Sequence, residues 1–196
     1  MEDIKLLNIY NLDLIKNDRI IIYGAGKYGD YLYSLLELKG LGQNVVCYAV
    51  SDREENPDIF HKKFVKSIDE LQEELKVSVV IVAIGITHIG EVFERLKNYT
   101  IKRIYCVNNE VMNTVAKEII VESKKQPIER NKIIFSNYDG MGYGGNCKYI
   151  AEEFIRRDYP VKLVWVVLDR NIESIPKQIK KVLIGTPQYY RELFTS

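Results

Sequence analysis

The sequence predicts an α/β protein built on parallel sheet, and three observations predict it. Short β-branched runs alternate with amphipathic helical stretches; one run, Val77–Ile84, is Val, Ile and Ala almost throughout; and a glycine-rich turn joins the first such run to a helix. A chain of 196 residues, 46% hydrophobic, has apolar material for one to two cores, which excludes intrinsic disorder. With 28 Lys+Arg against 27 Asp+Glu and no long basic run, the charge argues against a nucleic-acid partner. No apolar stretch reaches the roughly 18–20 residues of a spanning helix, and the start lacks a signal-peptide layout. Cys47, Cys106 and Cys147 lie far apart with no CxxC pair, so neither a disulfide framework nor a zinc site is predicted, no metal-ligand cluster is visible, and a reducing cytosol is expected.

In chain order, residues 1–18 carry Ile4, Leu7, Leu12 and Ile15 at loosely helical spacing and read as one or two peripheral helices. Arg19–Tyr23 is a strand, residues 24–29 a turn, and Asp30–Lys39 a helix closed by Gly40. Val45–Val50 is the second strand, and Glu54–Phe64, with Asn56-Pro57, an irregular loop. Ser67-Ile68-Asp69-Glu70 has capping-box spacing and opens a helix through Leu75. Val77–Ile84 is a central strand, Thr87 caps a helix to about Asn98, and Arg103–Val107 is another strand. These elements make a complete Rossmann-like domain over residues 1–118.

From Val115 to Asn131 the pattern loosens into a polar, Pro-containing stretch, read as a linker over residues 119–131. The same grammar then restarts over residues 132–196. Lys132–Ser136 is a strand, Asp139–Gly145 a glycine-rich loop, Asn146–Arg157 a helix and Val161–Leu168 a strand. Lys181–Ile184 is a third strand and Pro187–Phe194 a helix. This second α/β unit reads as incomplete.

Gly24-Ala25-Gly26-Lys27-Tyr28-Gly29 matches G-x-G-x-x-G between a strand and a helix. There, glycines permit a tight turn and let a phosphate approach backbone N–H groups at the helix N-terminus. Asp52 ends the next strand, where a carboxylate holds ribose hydroxyls. Gly24, Gly26, Lys27, Tyr28, Gly29 and Asp52 are therefore the candidate nucleotide or sugar-nucleotide residues, with purely structural use of the turn as the alternative. Gly85 and His88 join them, because the loop after the buried strand lies on the same sheet edge; a solvated helix start is the other reading of His88. His61 reads as an ordinary loop residue. No nucleophile, base and orienter set can be assembled, so no catalytic residue is assigned. The loop Asp139-Gly140-Met141-Gly142-Tyr143-Gly144-Gly145-Asn146 permits positive φ and close backbone approach, with Asn146 a favourable N-cap. It reads either as a binding loop or as a segment threaded tightly between packed elements.

The segment Lys132–Ile155, with its Phe135-Ser136, Gly140, Tyr143-Gly144, Asn146 and Lys148-Tyr149-Ile150-Ala151-Glu152-Glu153 pattern, resembles the start of the CDP-glycerol glycerophosphotransferase family, the teichoic-acid and capsule polymerases and primases. The strand motif Lys162–Asp169 and Tyr189–Leu193 extend the resemblance over about residues 131–196. Gly145 and Cys147 depart from it, standing where the family often has Asp and Pro; loss of a helix-start Pro alters turn rigidity more than chemistry. The resemblance implies half of a GT-B fold and transfer of glycerol phosphate, or a related polyol phosphate, from a CDP-activated donor to a lipid-linked glycan acceptor. Asp139, Gly140, Tyr143, Gly144 and Asn146 become acceptor-side loop residues. The family's donor-binding half and its Trp-His-Gly segment lie downstream, and this sequence has no Trp-His-Gly, so the resemblance implies a chain inactive alone. Residues 18–108 separately resemble the sugar-nucleotide-binding Rossmann domains appended to bacterial polysaccharide-assembly enzymes, which implies a binding or regulatory role.

Three functions follow as expectations: the amino-terminal portion of the transferase; a non-catalytic nucleotide or sugar-nucleotide module; and, more weakly, an NAD(P)-dependent oxidoreductase, for which no Tyr-x-x-x-Lys pair is evident. The expected location is cytoplasmic, with the full enzyme peripheral at the inner membrane face. Lys177, Lys180, Lys181 and Arg191 make the tail mildly basic, which reads as a solvated face.

Overall fold

The structure, a computed structural model, describes residues 4–54, 56–168, 172 and 174–196. Asp169, which ends the Lys162–Asp169 motif, Met1–Asp3 of the expected first helix and Glu55 of the expected loop lie outside the described residues. The chain forms two compact units, Met1–Lys117 and Glu118–Ser196.

The first unit begins with β1 (Lys5–Leu6), a 3-10 turn (Leu12–Ile15), β2 (Arg19–Tyr23) and α1 (Lys27–Leu38). β3 (Val45–Val50), β4 (Ile59–Phe60), β5 (Lys63–Ser67) and α2 (Gln72–Val77) follow, then β6 (Ser78–Val82), α3 (Ile89–Leu96) and β7 (Arg103–Cys106); α4 (Asn109–Lys124) runs across the boundary between Lys117 and Glu118. The sheet order is β1-β7-β6-β2-β3-β5-β4, parallel throughout except for the β4–β5 hairpin. β2 and β6 are the central strands, and Ile20, Ile21, Ile22, Val79, Val80, Ile81 and Val82 are fully buried, as strands covered on both faces require. α1 buries Leu32, Leu35 and Leu36 against this sheet.

Several elements differ from the sequence expectation. The expected first helix is instead a short strand on β7 followed by a 3-10 turn: pairing with the open β7 edge and burial of Leu7 override weak helical spacing. Part of the expected loop at residues 54–64 is the hairpin strand β4. Ser67 accepts from the Asp69 N–H and caps a 3-10 turn (Ile68–Leu71) that precedes α2. Gly85, not Thr87, caps the 3-10 turn (Ile86–His88) before α3. A helix, α4, runs through residues where the polar pattern alone gives no period.

The second unit contains β8 (Lys132–Phe135), a 3-10 turn (Tyr138–Gly140), α5 (Gly145–Arg156), β9 (Lys162–Val167), β10 (Lys180–Leu183) and α6 (Pro187–Phe194). Its three described strands are parallel in the order β10-β9-β8. Trp165 is wholly buried, its ring 5.7 Å from Phe135, among Leu163, Val167 and Ala151. At the opposite end from the glycine loop, the buried Lys132 ammonium lies 3.0 Å from Glu192 and 3.1 Å from Glu129 and also donates to the Thr195 hydroxyl, fastening the end of α6 to the start of β8.

Candidate functional sites

The first site is built on the crossing point of the seven-stranded sheet, where the chain passes from the β3–β5 side of β2 to the β6–β7 side. Doubly wound sheets open a crevice beyond the carboxyl ends of their strands at such a point. Gly24 leaves β2 at φ +114°, its N–H donating to the Ala49 carbonyl at 2.8 Å, and a Cβ there would lie 2.6 Å from the Ala83 carbonyl oxygen. A Cβ on Gly29 would fall 2.1 Å from the Gly24 carbonyl oxygen, so the turn packs directly on the first turn of α1. Gly26, by contrast, caps α1 with nothing within 4 Å of its missing Cβ and no side-chain cap on the helix N–H groups. Two of the three glycines thus serve packing, and the middle one leaves backbone N–H groups approachable by an anion.

The crevice itself is a cleft of about 940 Å³. Gly24, Ala25 and Gly26 form one side, Val50, Ser51, Asp52 and Asn56 the end of β3 and the loop after it, and α3 the opposite wall. Asp52 is held by the loop: its Oδ1 accepts from the Glu54 N–H at 2.9 Å, and its carbonyl accepts from the Asn56 amide at 2.7 Å. Ser51 and the buried Tyr23 share a hydroxyl hydrogen bond of 2.6 Å, and burial pushes the Tyr23 phenol above its ordinary range. His88 lines the cleft from the start of α3, largely exposed, 3.8 Å from Glu91.

The structure therefore brings Gly24, Gly26, Asp52 and His88 together. Lys27, Tyr28, Gly29 and Gly85 are not among the lining residues: Gly29 lies beneath the turn, Lys27 is exposed, Tyr28 donates to the Asn109 side chain, and Gly85 caps the 3-10 turn. Sequence reading missed Asp69, Arg95 and Tyr99, which close the far side of the cleft. The Tyr99 hydroxyl donates to Asp69 and holds its carboxyl below the usual carboxylate range against the small effect of burial, with Arg95 at 2.7 Å adding to it. No spacing in the sequence signalled them, because Asp69 lies in the 3-10 turn after β5, Arg95 on α3 and Tyr99 beyond the end of that helix.

His61 is more than a loop residue. It occupies the tip of the β4–β5 hairpin at φ 50°, its Nε2 lies 2.9 Å from the buried Asp30 carboxylate, and its ring stacks on Tyr33 at 4.5 Å.

The second site is the glycine loop of the second unit, at the carboxyl end of β8. Tyr138, Asp139 and Gly140 all have positive φ (41°, 54° and 93°), and a Cβ on Gly140 would lie 2.9 Å from the Leu168 nitrogen and the Val167 carbonyl carbon. The Leu168 N–H donates to the Gly140 carbonyl at 2.9 Å, the Trp165 indole N–H to the Gly142 carbonyl at 3.1 Å, and Tyr143 packs edge-on against Trp165 at 4.6 Å. The loop is thus pinned across the end of β9 through Gly140, Gly142 and Tyr143, while Asp139 and Asn146 remain exposed. Asn146 does not cap the helix as expected: Gly144, two residues earlier, is the cap, Gly145 follows at φ 65°, and Asn146 sits within the first turn. Lys148 lies over the Tyr143 ring at 5.7 Å, so the end of the loop and the start of α5 form one small polar and aromatic surface.

Comparison with the curated proteins and with the solved structures gave no match to the chain. Residues 119–196 do match a family model, that of CDP-Glycerol:Poly(glycerophosphate) glycerophosphotransferase, and the match spans nearly all of the second unit and none of the first. The second unit, with its pinned glycine loop, is accordingly the part of the chain that is similar to this family.

Proposed function

We propose that the chain serves transfer of glycerol phosphate, or a related polyol phosphate, from a CDP-activated donor to a lipid-linked glycan acceptor. The second unit supplies the acceptor-side surface and the first a nucleotide or sugar-nucleotide site. The observation that carries the reading is the family match over residues 119–196, whose glycine loop stands at the carboxyl end of a parallel sheet, where α/β folds take ligands. Asp139, Asn146 and Lys148 are its exposed or half-exposed polar groups, and Gly140 and Tyr143 hold the loop in shape. A lipid-linked acceptor brings the chain to the inner face of the cytoplasmic membrane as a peripheral protein; no described helix is long and apolar enough to cross one. Among the described residues no acid, base and nucleophile set comes together, and this reading leaves catalysis to a donor-binding half.

The test measures CMP release from CDP-glycerol with a glycerol-phosphate-primed acceptor, and calorimetric binding of a glycerol phosphate oligomer to the 196-residue chain. The expected result is oligomer binding that Tyr143→Ala abolishes, without CMP release unless a donor-binding half is supplied. No oligomer binding would remove the acceptor-side assignment, and CMP release by the chain alone would overturn the division of labour.

A non-catalytic nucleotide or sugar-nucleotide module is the second reading, favoured by the open backbone at Gly26 facing a cleft edged by Asp52. In it the turn takes a phosphate and Asp52 the ribose diol.

A further inference from the structure

The α3 wall bears on which base the first unit's cleft accepts, an inference that rests on the nucleotide reading above. Glu91 and Arg95 both line the cleft and stand four positions apart on α3, so their side chains are neighbours on the helix surface. Arg95 is anchored from outside the helix, its guanidinium 2.7 Å from Asp69, which also receives the Tyr99 hydroxyl. A guanidinium has five N–H donors in a planar fork, so this pairing leaves donors for a ligand. A carboxylate such as that of Glu91 can only accept hydrogen bonds, and it stands 3.8 Å from His88, itself a lining residue; Glu94 also lines the cleft but pairs with Lys97. Asp52, Asp69, Glu91 and Glu94 stand against one guanidinium among the lining residues, so away from the glycine turn the cleft favours ligand edges that donate.

An acceptor beside a fixed donor is complementary to an amidine edge, an exocyclic amine next to a ring nitrogen that accepts. Cytosine and adenine present that edge. Uracil and hypoxanthine place a carbonyl where the amine would be and an N–H where the acceptor would be, so both partners would face their own kind. We propose that the cleft selects nucleotides whose base carries an amidine edge over their oxo counterparts, with Glu91 and Arg95 as the specificity-determining residues.

The experiment is calorimetric titration of the full chain with CDP, UDP, ADP and IDP, four probes that form two pairs differing at this edge. CDP is expected to bind about tenfold more tightly than UDP, and ADP than IDP, the size of one hydrogen bond to a charged group. Comparing CDP with ADP distinguishes the two sources of the edge. Glu91→Gln, a change at an exposed position, is expected to bring both ratios close to one while the chain stays folded by circular dichroism. Equal affinities within both pairs, or ratios that Glu91→Gln leaves unchanged, overturn the inference while the nucleotide reading stands. Absence of binding by all four probes removes that reading and the inference with it.

Discussion

Gly29 and Gly26 occupy one motif but answer to different constraints. A methyl group on Gly29 would meet the Gly24 carbonyl at 2.1 Å with no side chain to move aside, whereas Gly26 faces open space. Gly29→Ala is therefore expected to cost about 1–3 kcal/mol in urea unfolding, the range for forced overpacking, and Gly26→Ala far less. Equal losses would contradict the packing role assigned to Gly29. Lys132 poses a similar question for the second unit. Its removal leaves Glu192, itself nearly buried, with Lys180 alone. Lys132→Met is expected to cost about 3 kcal/mol, with part recovered in the double variant with Glu192→Gln, since the penalty comes from the carboxylate left behind. Strictly additive losses would show that the two do not act as a pair.

At the scale of elements, the β4–β5 hairpin carries two left-handed residues, His61 and Lys62, neither of them glycine. His61 is held there by Asp30 and Tyr33, so His61→Ala is expected to leave the buried Asp30 carboxylate unpaired and destabilise the first unit by about 1–3 kcal/mol. Faster amide exchange at Ile59–Ser67 would accompany it; unchanged exchange would sink the idea. The long buried strands and α6 were legible in the sequence because each has a strong local cause. Val79–Val82 are apolar throughout, and α6 starts with a Thr186 cap and Pro187. The hairpin was not legible, because its strands are short and its stability comes from α1 across the sheet. β1 was hidden for the same reason: pairing with β7 is a property of the sheet, not of Lys5 and Leu6. In the candidate site, the glycine turn and Asp52 could be read from spacing alone. Asp69, Arg95 and Tyr99 could not, since Asp69 meets the other two only once β5 and α3 are placed.

For the molecule as a whole, both units depend on carboxylates that are held ionised. Burial alone would raise the Asp18 carboxyl, but hydrogen bonds from Lys102 and Arg103, with their charges, hold it below its ordinary value. Glu192 shows the same balance, burial opposed by Lys180 and Lys132, and is also lowered. A depressed folded-state value means that the stabilisation is present above the unfolded value, about 4 for such groups, and is lost as pH falls through the folded value. Thermal midpoints are therefore expected to fall below about pH 4 and less steeply in Asp18→Asn and Glu192→Gln, which start lower. An acid slope identical to that of the parent chain would contradict these assignments.

The central proposal divides roles between the units, with a nucleotide cleft in the first and, in the second, the segment that matches the glycerophosphotransferase family model. Hydrogen–deuterium exchange on the full chain, with and without saturating CDP-glycerol, tests it most directly. Protection is expected in the first unit at residues 24–30 and 50–54, where the glycine turn and Asp52 edge the cleft. Exchange left unchanged in these segments, or protection elsewhere alone, would contradict the account.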